Sequence, residues 1–140
     1  MTNKKQLFET VEGICELNNK WGNTHGTHDA KLGASLLIEE ALEGICVVNA
    51  KEVSRNIVSK YYLADPEPVD SFDSACDAIY ISIGNLHKMG LTPHQIADGL
   101  AAVHKCNLAK SGTQDSHGKI TKPTDFVGPE DKLQSIIDNH

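Results

Sequence analysis

Two acidic clusters are the residues best suited to chemistry. Glu39, Glu40 and Glu43 lie in the run Leu36-Leu37-Ile38-Glu39-Glu40-Ala41-Leu42-Glu43. Asp73 and Asp77 lie in Phe72-Asp73-Ser74-Ala75-Cys76-Asp77-Ala78-Ile79. On a helix, Glu39 and Glu43 are neighbours at i, i+4, Glu40 and Glu43 at i, i+3, and Asp73 and Asp77 again at i, i+4. Like charges at these spacings repel, so each helix is weakened by its own acids. Two such faces brought together need a cation, and carboxylate oxygens select a hard one: Mg²⁺, with Mn²⁺ as a substitute. A solvated helix face is the bland alternative. It is the better account of Glu9 and Glu12, for which no second acid pair remains.

Other reactive residue types make weaker patterns. His25-x-x-His28-Asp29 resembles part of a metal site, but its glycine-containing loop reads better as solvent-exposed. Cys15, Cys46, Cys76 and Cys106 form no CxxC pair. Their apolar or helical contexts predict buried, reduced thiols rather than a zinc site. Trp21, at the end of the first helical pattern, can stack on a base or plug a packing gap. No Walker-type phosphate loop and no G-x-S-x-G turn occurs, and no histidine partner for a cysteine nucleophile is identifiable.

The elements that position these residues are helical. Apolar periodicity predicts a first helix from about Lys4 to Lys20 and a second from about Ala30 to Val48. Asn49 with Glu52 reads as a capping box opening a third helix that carries Val53, Ile57 and Tyr61. Pro66 and Pro68 break the chain. Asp70 or Ser71 then caps a fourth helix, which carries Phe72, Ala75, Cys76, Ile79, Tyr80, Ile83 and Leu86 and stops at Met89-Gly90. Thr92-Pro93 opens a fifth helix, and a short sixth spans about Glu130 to Ile137. The echo between Glu9-Thr10-Val11-Glu12-Gly13-Ile14-Cys15 and Glu40-Ala41-Leu42-Glu43-Gly44-Ile45-Cys46 has no third copy, so a solenoid is not supported. No strand alternation of useful length appears. The expectation is one all-α domain over residues 1–140, with residues 111–140 as an irregular tail.

Composition narrows the function classes. The 140 residues are 39% hydrophobic and only 5% aromatic, and 13 basic against 19 acidic side chains leave a net charge of −6. That balance disfavours a duplex nucleic-acid partner, because too few cations remain to neutralise phosphates. An acidic protein still binds a nucleotide when a metal stands between carboxylates and phosphates. No apolar run approaches the ~18 residues of a membrane span. The segment Met1–Gln6 is polar and basic rather than signal-like, so no membrane association and a cytoplasmic location are expected.

In this order the segments resemble the all-α nucleoside triphosphate pyrophosphohydrolases of the MazG-like superfamily. Leu36–Glu43 looks like the family's EExxE helix, and Asp73-Ser74-Ala75-Cys76-Asp77-Ala78-Ile79-Tyr80 looks like its second acidic helix. Val103-His104-Lys105-Cys106-Asn107-Leu108-Ala109-Lys110, followed by Gly118-Lys119 and Lys122-Pro123, is similar to its Asn-x-x-Lys segment and glycine-lysine tail. The likeness implies a MazG-like helical bundle assembled as a homodimer or homotetramer. It also implies Mg²⁺-dependent cleavage of a (deoxy)nucleoside triphosphate to the monophosphate and pyrophosphate, as in nucleotide-pool house-cleaning. By this resemblance Glu40, Glu43 and Asp77 are ligands, with Asp73 the fourth, and Glu39 binds a second ion or acts as base for the attacking water. Asn107 is then placed for the sugar or a phosphate and Lys110 for a phosphate oxygen, while Lys119 and Lys122 lie on a tail that folds over the nucleotide. The chain departs from the family's ExxD spacing, with Ser74 where the glutamate is usual and Asp73 one residue earlier, and its two acidic helices are separated by an additional helical segment. Phosphoribosyl-ATP pyrophosphohydrolase shares the fold type. From a different class, a helical interaction protein that binds a divalent ion without turnover has the same features.

Overall fold

Capping chemistry sets where the helices start and stop. In the computed structural model, which describes residues 3–24, 26–110 and 112–139, α1 spans Asn3–Lys20 and α2 spans Ala30–Gly44. The Asp29 carboxylate opens α2 by accepting from the Leu32 amide at 3.0 Å. The helix ends short of the expected Val48, because the backbone turns left-handed at Cys46 (φ 64°). There the Cys46 and Val47 amides donate to the carbonyls of Glu43 and Leu42. This is a Schellman closure with a cysteine in the position that favours glycine.

The third helix, α3 (Ala50–Tyr61), begins at Asn49 without the expected box, since the Asn49 side chain makes no capping bond. Helix α4 (Pro68–Lys88) starts earlier than Asp70 or Ser71. Pro68 occupies its first turn, where a missing N–H leaves no bond unmade. It stops at Met89-Gly90 as expected, with Gly90 at φ 92°. Helix α5 (Pro93–Asn107) carries a complete capping box between Thr92 and Gln95, and α6 (Glu130–Asp138) closes the order. Among the described residues there is no strand, only an isolated antiparallel bridge between Gln114 and Ile120. The architecture is all-α.

Helix α2 packs on α3, α1 on α5, and α6 on α5, while α4 touches α5. On α3 the buried positions are Ala50, Ser54 and Val58. The expected inward set differs: Val53 is half-buried, and Ile57 and Tyr61 are exposed. Small side chains at 50 and 54 let α2 approach closely, and the buried Ser54 hydroxyl is satisfied by the Lys51 carbonyl. Between α1 and α5, the His104 ring lies so close over Gly13 that a Cβ there would meet Nε2 at 2.6 Å. Gln95 ties α5 to α6 by donating to the carbonyls of Ile136 and Asn139.

Helix α4 departs most from expectation. None of its residues is buried. Phe72 is 72% exposed, and Ile79, Tyr80 and Ile83 are exposed with it, so this chain leaves the apolar stripe of the helix uncovered. The thiols are likewise corrected: all four are free, but Cys15, Cys46 and Cys76 are exposed and Cys106 is half-buried. They sit on faces that the chain leaves open. The accessible surface totals 10,371 Å², against about 7,100 Å² for a compact monomer of this mass. Among the described residues no helix is long and apolar enough to cross a membrane.

Candidate functional site

Glu39 is the one member of the α2 acid cluster taken out of water. It is 4% exposed, whereas Glu40 and Glu43 point to solvent. A buried carboxylate requires a partner. Its partner comes from the tail: Lys119 Nζ donates to Glu39 Oε1 at 2.6 Å across 80 residues of sequence.

Beside this ion pair lies a groove of about 420 Å³, lined among others by Trp21, Leu36, Glu40, Lys110 and Lys119. The volume falls in the range of small-ligand sites. Of its two expected uses, Trp21 shows the packing one. One edge packs on Gly112, where a Cβ would sit 2.9 Å from Cδ1, and the ring also forms part of the groove wall. Burial pushes the Lys110 ammonium below the ordinary lysine range; repulsion from Lys122 and Lys119 adds to this and Glu40 opposes it. Three lysines and one glutamate therefore share a neighbourhood. Lys110 is not on a continuing helix, as the spacing from Asn107 predicts. Helix α5 ends at Asn107, and the Lys110 amide donates to the Asn107 carbonyl in the turn that follows.

Lys119 is delivered by a turn that the sequence reading did not single out. The Asp115 carboxylate accepts from the amides of His117 (2.8 Å) and Lys119 (3.0 Å) through Oδ1. Its Oδ2 accepts from Lys51 Nζ of α3 at 3.1 Å, with Arg55 Nη2 at 3.9 Å. The His117 amide bond is the first cause, with the Lys51 hydrogen bond adding to it, of an Asp115 pKa lowered to about 2. A local signal for this turn exists: an Asp followed two residues on by an accepted amide and three on by Gly118, which sits at φ 85°.

The remaining expected site residues are not gathered here. Asp73 and Asp77 are exposed on α4, and Asn107 is half-buried at the end of α5. Among the described residues no three His, Cys, Asp or Glu side chains converge where a metal ion could sit. The donors are chemically suited to Mg²⁺, but this single chain does not assemble them, and Glu39 is already neutralised by Lys119. His28 is exposed on the groove wall and Asp29 is used as the α2 cap; His25 lies outside the described residues. The chain matches no protein-family model, no curated protein and no solved structure.

Proposed function

We propose that the chain is a cytoplasmic (deoxy)nucleoside triphosphate pyrophosphohydrolase, releasing a nucleoside monophosphate and pyrophosphate. One observation carries this reading. A single groove is lined by the aromatic Trp21, the cations Lys110 and Lys119 and the carboxylate of Glu40, with Lys122 near Lys110. An aromatic face suits a base. Ammonium groups neutralise phosphate oxygens that would otherwise face Glu40, and they orient the chain of phosphates. The expected Mg²⁺, when bound, supplies further neutralisation of phosphate charge. Glu40, Glu43, Asp73 and Asp77 are the oxygen donors proposed for it.

The reading includes self-association as a homodimer or homotetramer. The chain exposes about 3,000 Å² more surface than a compact monomer of its mass, and the apolar side of α4 is open. A standard interface buries about 800 Å² per partner, so the excess is ample for a second copy. The open α4 also favours a second reading, a helical interaction protein without turnover. Pyrophosphate release from mixed dNTPs, with and without Mg²⁺, separates the two. Release that requires Mg²⁺ is expected; no release from any nucleotide, including phosphoribosyl-ATP, overturns the enzyme.

A further inference from the structure

We infer that Asp115 is a positioning residue: anchored to α3, it shapes the turn that presents the Lys119 ammonium to Glu39 and the groove. The inference rests on the phosphate-binding reading of that groove for its functional meaning, but the placement itself stands on geometry. Lys119 belongs to an irregular tail and carries its charge on a flexible four-carbon stem. Left to itself, such a side chain loses much rotamer freedom on being held at one carboxylate. Asp115 leaves those rotamers free but fixes the backbone from which the side chain departs. Oδ1 fixes the backbone at residues 117 and 119, and the Asp115 amide in turn donates to the Lys119 carbonyl at 2.8 Å. Oδ2 fastens the turn to Lys51, beside Arg55, on the helix that packs against α2. Since Glu39 lies on α2, both ends of the Lys119–Glu39 pair are referenced to the same helix pair. The lysine meets a buried acid because an aspartate on its own turn is bolted to that acid's neighbour.

The two oxygens have separable jobs, which makes the arrangement testable. Asp115→Asn keeps an acceptor for the two amides but loses the charge facing Lys51 and Arg55. Asp115→Ala loses both.

Lysine modification of the intact chain by an acylating reagent, read by mass spectrometry, reports how shielded Lys119 is without any nucleotide. The expected order is wild type slowest, Asp115→Asn several-fold faster and Asp115→Ala faster again, with Lys20 and Lys60 unchanged. An equal Lys119 rate in wild type and Asp115→Ala, with helicity intact, overturns the inference.

The second arm is titration with inorganic tripolyphosphate. Asp115→Ala is expected to lower affinity about as much as Lys119→Met, roughly tenfold, and the double variant to be no worse than Lys119→Met alone, because both act through one ammonium. Losses that add overturn the inference, since a general structural role sums with the loss of Lys119. If tripolyphosphate fails to bind even the wild type, the phosphate reading of the groove falls, and the modification rates still decide the role of Asp115.

Discussion

The α2–α3 pair with its tail and the long helix α4 are built on opposite principles. The first is finished within one chain: small residues close the helix contact, and the buried Glu39 is met by Lys119 and fastened by Asp115. The second is a 21-residue helix with no buried residue, touching only α5 among the principal helix contacts and carrying Phe72, Ile79 and Ile83 along one exposed stripe. Polar groups on the first side have found their partners, while the apolar groups of the second have not. Charge left unpaired in the interior is more costly than apolar surface left in water. A single chain therefore settles its ion pairs and can leave an apolar stripe for an assembly to cover.

The largest effect tests whether the two regions form one site. Glu40→Gln and Asp77→Asn preserve volume and remove an anionic oxygen, one from each region. If α4 completes the site, both lower turnover by about two orders of magnitude or more, beyond the effect of an outer-shell change, while circular dichroism stays unchanged. If Glu40→Gln alone is damaging, α4 is an assembly surface and nothing else. Glu9→Gln and Glu12→Gln, on the echoed segment, should be nearly silent in the same assay.

The next effect concerns assembly. Phe72→Asp with Ile79→Asp places charges in the open stripe of α4, seven residues apart on one face. Each buried side chain is worth about 2 kcal/mol, and a two-fold interface loses each twice, so the dissociation constant should rise by roughly five orders of magnitude or more. Sedimentation should show the wild type at a multiple of 15.2 kDa and the variant at the monomer mass. A wild type that is monomeric and fully active at micromolar concentration breaks the contrast, because α4 would then need no partner.

How much was legible follows the range of the interactions. Helix termini are written locally. Thr92-Pro93 and Met89-Gly90 are short motifs, and they fall where the sequence puts them, while the Asp29 cap and the Gln95 half of the box are equally local but not among the expectations. Asn49 failed as a cap because a box needs its backbone angles as well as its letters. Which face turns inward is less legible on α3, where hydrophobicity favours Ile57 and Tyr61 but Ala50, Ser54 and Val58 are the buried positions. On α4 periodicity records that a stripe is to be covered, not that the same chain covers it. The buried-cysteine expectation fails at Cys76 for the same reason, and also at Cys15 on α1 and at Cys46 just after α2. Of the groove and the ion pair beside it, Glu39, Glu40, Trp21, Lys110 and Lys119 stand out in the sequence by residue type. The contact of Lys119 with Glu39 spans 80 residues and leaves no local pattern. Asp115, Lys51 and Arg55 escaped because each alone is an ordinary surface charge.

The smallest effect is confined to the tail and sharpens the contrast through pH. Asp115 has a pKa lowered to about 2 from an ordinary 3.8, so its ionised form is stabilised by folding. A depressed carboxylate contributes stability that is fully present above its ordinary value, near pH 4, and is lost as pH falls through about 2. The groups facing it are Lys51 and Arg55 from α3, and the amides of His117 and Lys119 in its own turn. None of these loses a proton between pH 4 and 2, so the change at the clip belongs to Asp115. Amide exchange at residues 117 and 119 should accordingly lose protection over that interval in the wild type and converge on the values of Asp115→Asn, which should show no step of its own from this group. Subtracting the Asn variant also removes any contribution from Glu39, one ion pair further in. Exchange at Ser54 and Val58, inside the α2–α3 contact, should keep its protection, because small apolar packing holds it. Protection at 117 and 119 that persists unchanged to pH 2 would mean that packing rather than charge holds the tail, and the division between the two regions would then lie elsewhere.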